Sequence, residues 1–140
     1  MKIIFVGMHN KPGLKPLCSS TKTGKIINRI IKELPNIEVL KTNLYNVEYL
    51  PYDWREKQDL SVDWHQRIDA YADDIIILLG AEVQEWFISS GFRNIIKLAH
   101  PAYKAMNKYV ADSVEKIKEV IGNDKTMELL NTKPQHPHEL

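Results

Sequence analysis

Apolar positions along the chain follow two rhythms. Ile3-Ile4-Phe5-Val6 is an unbroken apolar run stopping at Gly7, and Ile75-Ile76-Ile77-Leu78-Leu79 is a second stopping at Gly80. Such runs suit strands covered on both faces, here Lys2 to Val6 and Ile75 to Leu79. Ile37 to Lys41 and Asn94 to Ala99 read as two further strands. Between them the spacing changes to three and four. Ile26, Ile27, Ile30, Ile31 and Leu34 form one face of a helix that Thr21 or Thr23 can cap and Pro35 closes. Trp64, Ile68 and Tyr71 give a second helical face, and Ala81 to Ser89 a third helix with Val83, Trp86 and Phe87 inward and Gly91 at its end. Met106, Val110, Val114, Ile117 and Ile121 mark a last long helix that Gly122 is expected to stop, with a short helix over Asp124 to Leu130 beyond it.

Four strands alternating with helices predict an α/β fold: a three-layer α/β/α arrangement around a four-stranded parallel sheet. The 140 residues suit one domain, expected over 1–131, with a loose tail over 132–140. Long loops are expected from Met8 to Thr21, which holds Pro12, Gly13 and Pro16, and from Thr42 to about Asp59. In that second loop Trp54, like Trp64, reads as a packing group.

Composition narrows the class. Cys18 is the sole cysteine, so the chain forms no internal disulfide and no all-cysteine metal site, and it suits a reducing compartment. The first apolar run lacks the longer core and cleavage site of a signal peptide, and no run approaches membrane-spanning length, so a cytoplasmic protein without a membrane partner is expected. Nineteen basic and eighteen acidic residues nearly cancel, which does not by itself advertise nucleic-acid binding. Their distribution is uneven. Lys11, Lys15, Lys22 and Lys25 crowd the first loop and helix start, and Lys41, Lys97, Lys104 and Lys108 follow or flank later strand ends. With parallel strands much of this basic set falls on one edge of the sheet, unless the lysines simply scatter over the surface.

The carboxyl ends of parallel strands are where such sheets bind ligands. Here they carry Gly7-Met8-His9-Asn10-Lys11-Pro12-Gly13, then Thr42-Asn43-Leu44-Tyr45-Asn46, then His100-Pro101-Ala102-Tyr103. Thr23-Gly24-Lys25 at a helix start invites comparison with a phosphate-binding loop, but that motif needs glycine where Ser19 stands and serine or threonine where Ile26 stands. The dinucleotide fingerprint is absent too, since Met8-His9 follows Gly7. A helix start with free N–H groups still favours an anion such as a nucleic-acid phosphate.

In order and spacing these segments resemble the uracil-DNA glycosylase superfamily. The first loop is similar to its Gly-x-x-Pro-Gly type of motif, with Pro16-Leu17 and Thr21-Lys22-Thr23-Gly24-Lys25 following in family order. Asn43 stands after a strand, Leu78-Leu79-Gly80 ends another, and His100-Pro101 completes the series. The resemblance spans about residues 2 to 121. It implies a hydrolase of DNA repair that flips a uracil or related deaminated base out of the stack and cleaves its N-glycosidic bond. No cofactor and no metal is expected, the partner is DNA containing a damaged base, and the protein is expected to be a monomer.

Under that resemblance Asn43 reads the base edge, because its amide offers an acceptor and a donor side by side, matching N3–H and O4 of uracil. His100 donates to O2 of the departing base, where negative charge develops. The first loop is one residue longer than the family's Gly-Met-Asn-Pro-Gly form. Counting from Gly7 places His9 in the asparagine position and counting back from Pro12 places Lys11 there; Asn10, between them, is favoured for orienting the water, with His9 as the alternative. Family members often stack an aromatic ring on the base from the segment after the first loop's proline; here Leu17 follows Pro16, so Tyr45 or His9 would supply the stack. Lys15, Lys22, Thr23, Lys25 and Lys104 are expected on DNA, and Tyr103, or Met106, as the wedge filling the vacated space. Cys18 reads as a small loop residue, and His136 and His138 in the tail as poor metal ligands. Leu17 and the extra loop residue suit an alternative, a glycosylase-like domain that binds nucleic acid or a free base without cleaving it. A flavodoxin-like nucleotide-binding domain is a third reading, without its phosphate fingerprint.

Overall fold

The computed structural model describes residues 1–9, 13–45, 47, 53, 55–57, 64, 69–89, 91–101 and 105–132, with side chains of the last helix up to Asn123. The elements are β1 (Ile3–Gly7), α1 (Lys22–Lys32), β2 (Val39–Asn43), β3 (Ile75–Leu79), α2 (Ala81–Trp86), β4 (Asn94–Leu98) and α3 (Met106–Thr132). The strands form one parallel sheet in the order β2-β1-β3-β4. This is the four-stranded parallel architecture the alternating pattern predicts.

Pleating divides the apolar runs between two cores. Ile3, Phe5, Ile75, Ile77, Leu79, Ile96 and Leu98 face α1 and α3, meeting Ile26, Ile27 and Ile30 on one and Val110, Val114 and Ile117 on the other. Ile4, Val6, Ile76 and Leu78 face the opposite way, toward Leu44, Tyr45, Trp64, Val83 of α2 and Phe87 just beyond it. The sheet is thus the middle of three layers. β1 and β3 are buried along their whole lengths, which is why neither carries a polar side chain. Each fully buried isoleucine stabilises the fold by about 2 kcal/mol.

α1 begins where the sequence indicates. The Thr21 hydroxyl oxygen accepts from the Gly24 amide at 3.0 Å and its hydrogen goes to the Cys18 carbonyl at 2.7 Å. The loop is pressed so closely on the helix that a Cβ at Gly24 would lie 1.9 Å from the Cys18 oxygen. At the other end of the sheet Asp74 ties β1 to β3. It is 2% exposed and accepts from the Lys2 amide at 2.9 Å, the Lys2 ammonium at 2.8 Å and the Tyr71 amide at 2.8 Å. Burial on its own would raise the Asp74 carboxyl, but the hydrogen bonds from the Lys2 side chain and from the Tyr71 and Lys2 amides outweigh it and leave the group below its usual value. The same hydrogen bond raises Lys2 above its ordinary value.

Several sequence expectations shift. β2 lies two residues later than Ile37–Lys41, because Ile37 is held in a turn to the Pro35 carbonyl and pairing with β1 runs on to Gly7 opposite Asn43. α2 stops at Trp86 rather than Ser89: Phe87 turns extended so that its ring meets Trp64 edge-on at 4.9 Å. Tyr71 is not on a buried face. It is 59% exposed, with the Lys2 ammonium 4.9 Å from its ring centre. Gly122 does not stop the last helix, which continues to Thr132 and absorbs the short helix expected at 124–130. A glycine inside a helix costs only about 1 kcal/mol relative to alanine, less than a single buried isoleucine contributes. Trp54, Ile68, His136 and His138 lie outside the described residues.

Two stability predictions follow from these contacts. Gly24→Ala is expected to cost about 3 kcal/mol, since backbone must move to admit the methyl, measured as a lower urea midpoint with unchanged slope. Because the Asp74 pKa is depressed and that of Lys2 raised, the pair stabilises fully between about pH 4 and pH 10. Its contribution disappears as pH falls through the lowered carboxyl value. Asp74→Asn should cost about 2 kcal/mol at neutral pH and flatten the acid limb of a stability profile measured by urea unfolding.

Candidate functional site

β1 leads to β2 on one side and β3 leads to β4 on the other, so the switch in strand order falls between β1 and β3. Loops leaving the carboxyl ends diverge there and open a crevice. A cavity of about 460 Å³ occupies it, within the range of small-ligand sites.

Its floor is the end of β1 and β2. Asn43, the last residue of β2, is 4% exposed and lines the cavity. The ladder continues past it, with the Leu44 amide on the Gly7 carbonyl at 2.9 Å and the Tyr45 amide on the Met8 carbonyl at 3.0 Å. A Cβ at Gly7 would stand 2.7 Å from Asn43 Oδ1 and 3.1 Å from Leu17 Cδ2. The absent side chain of Gly7 is therefore the space in which the Asn43 amide and the Leu17 side chain meet.

Leu17 forms part of one wall with its backbone in the left-handed region, φ +50°, which costs a residue with a Cβ about 1–2 kcal/mol. Its carbonyl accepts from the Lys41 ammonium at 3.5 Å, and Lys41 also donates to Asn28 Oδ1 of α1. Burial lowers the Lys41 pKa, against the opposing influence of Cys18. Lys41 thus braces the first loop from below, a role its position in the sequence did not reveal. Cys18 is on the same wall, and a hydrogen bond between its sulfur and Ser20 Oγ, at 3.2 Å, lowers the thiol pKa.

His100 closes the far side. Gly80, at φ +96°, lets the chain pass beneath it, its Cβ position lying 3.5 Å from His100 Cβ and 3.6 Å from Cδ2. Beyond His100 and Met8 lies a second hollow of about 680 Å³, bordered by Gln84 and Lys97. His9 lines the first cavity half-buried; desolvation lowers its pKa, only partly countered by Glu82. The shift favours the neutral imidazole, which can donate from one nitrogen and accept at the other.

The structure gathers His9, Leu17, Asn43 and His100 around one cavity, with Lys15, Lys22 and Thr23 on its rim. Lys25 is exposed on α1 and does not line it. Tyr45 does not line it either. The chain bends after Asn43, strand alternation stops, and Leu44 and Tyr45 both enter the core on the α2 face. Tyr45 is 1% exposed, its hydroxyl pKa is raised by burial, and its oxygen has no hydrogen-bond partner among the described residues. It is packed where it cannot stack on a ligand in this cavity. Met106 is half-buried against the α1–α3 core. Asn10, Lys11, Tyr103 and Lys104 lie outside the described residues.

The wall combines aliphatic Met8, Leu14, Leu17 and Leu79 with an amide, two imidazoles and two lysines, and no carboxylate borders it among the described residues. Two lysines with no opposing carboxylate make this lining favourable to negative charge. Among the described residues no group of three or more His, Cys, Asp or Glu side chains could hold a metal ion, and no helix is long and apolar enough to cross a membrane. No family model, curated protein or solved structure matches the chain.

Gly7→Ala tests the floor of the cavity. The methyl should displace the Asn43 amide, shifting its side-chain NH₂ signals in a ¹⁵N-resolved NMR spectrum while the core methyl signals of β3 stay in place. Unchanged Asn43 signals would contradict this geometry.

Proposed function

We propose that the chain is a DNA glycosylase that hydrolyses the N-glycosidic bond of uracil or a related deaminated base. The observation that carries this reading is that Asn43 and His100, from segments far apart in sequence, line one cavity at the carboxyl edge of the sheet. An extruded base enters between the aliphatic wall of Leu17 and the sheet end. Asn43 pairs with N3–H and O4 through its amide. As the C1′–N1 bond breaks, its electron pair goes to the base, and His100 donates a hydrogen bond to O2, where that charge accumulates. Water adds its oxygen to C1′ and releases a proton, and the base anion leaves to be protonated. Asn10, which lies outside the described residues, is the candidate for orienting that water, with His9, which lines the cavity, as the alternative. Lys15, Lys22 and Thr23 stand on the rim where the flanking phosphates run, and the amino end of α1 adds its partial positive charge; Lys25 contributes from the exposed side of that helix.

The aliphatic Leu17 also favours a second reading, retention of a base or nucleic acid without cleavage. One assay separates the two. Single-turnover excision from single-stranded and duplex uracil DNA should proceed with the intact protein and slow about 100-fold in Asn43→Ala and His100→Ala. If the intact protein binds DNA but releases no uracil, hypoxanthine or xanthine, cleavage is excluded and the binding reading stands.

A further inference from the structure

Two helices on opposite faces of the sheet each send a side chain to the backbone immediately before His100. From α2, Gln84 Nε2 donates to the Leu98 carbonyl at 2.9 Å and reaches the Leu78 carbonyl at 3.3 Å, bridging the ends of β3 and β4. From α3, the Tyr109 hydroxyl donates to the Ala99 carbonyl at 2.6 Å. Tyr109 is 8% exposed, and Ser113, 2% exposed, lies one turn on along α3. The amide of Tyr109 makes the first hydrogen bond of α3, to the Ala105 carbonyl at 3.0 Å, so its hydroxyl reaches Ala99 from the start of that helix.

The placement has a physical cause. β4 is the outer strand of the sheet and its pairing with β3 ends at Leu98. The Leu98 carbonyl also accepts from the Gly80 amide at 2.9 Å, so Gln84 adds a second donor there, whereas the next carbonyl, that of Ala99, lies beyond the ladder and takes its donor from the Tyr109 hydroxyl. We propose that Gln84 and Tyr109 are positioning residues that act through His100, fixing the carbonyls of residues 98 and 99 and with them the direction of the imidazole toward the cavity. Neither touches the base. The consequence for catalysis rests on the excision reading; the consequence for the imidazole does not. A donor that must meet charge developing at one atom loses its value with small displacements. These two hydrogen bonds therefore set the rate at which bound substrate reacts more than its affinity.

The test has two arms on the full chain. In the first, Tyr109→Phe and Gln84→Met are followed by NMR of the histidine imidazoles. Each should move the His100 signals and its titration midpoint while leaving His9 unchanged; His100 signals identical to those of the intact protein in both variants would overturn the proposal. In the second, single-turnover excision is measured as a function of enzyme concentration. Each variant should lower the maximal rate about 10-fold with half-saturation unchanged, and in a His100→Ala background Tyr109→Phe should have no further effect. An additive loss in that background would assign Tyr109 a merely structural role. Should the intact protein excise nothing, the glycosylase reading fails and the imidazole signals still decide whether Gln84 and Tyr109 position His100. If Tyr109→Phe does not fold, Gln84→Met alone carries both arms.

Discussion

Burial of β1 and β3 on both faces is the constraint from which the rest follows. An apolar strand with no wet side must have a layer above and a layer below, so successive strands are joined by crossings over one face or the other. In a parallel sheet those crossings begin at the same edge. Four chain segments thereby leave the sheet together, and the site is assembled from whatever they carry. Asn43, His100, Leu17 and His9 are neighbours because Ile3 to Val6 and Ile75 to Leu79 leave the chain no other way to close its core.

Much of this was legible because continuous apolar runs are local signals. β1 and β3 were recognisable from their apolar runs alone, and the start of α1 was narrowed to Thr21 or Thr23, of which Thr21 is the cap. β2 was displaced because its limits are set by its partner. Thr42 and Asn43 look like loop residues, yet they belong to the strand because Val6 and Gly7 lie opposite them. Gly122 misled for a related reason, since a helix held by tertiary contacts tolerates a residue that would end an isolated one.

The cavity lining was legible where it is carried by strand ends and illegible where it depends on packing across the fold. His100 and Asn43 could be found by position and residue type. Tyr45, two residues beyond Asn43, was offered for stacking from a loop expected to begin at Thr42, and the bend after β2 sends it into the core. Lys41 bracing Leu17, and Gln84 and Tyr109 reaching the carbonyls before His100, arise from elements brought together by the whole fold, and no local pattern announces them.

The tie between Lys2 and Asp74 joins residues 72 positions apart, and it stands at the start of the pairing between the two central strands. The first strand of the chain is therefore the middle of the sheet, with a neighbour that emerges from the ribosome long after it. β2 arrives early enough to cover one edge of β1. Its other edge must wait for β3, and until then a run of bare isoleucine, phenylalanine and valine is exposed to other chains. The order that creates the crevice also makes synthesis the period in which this protein is most open to misassociation.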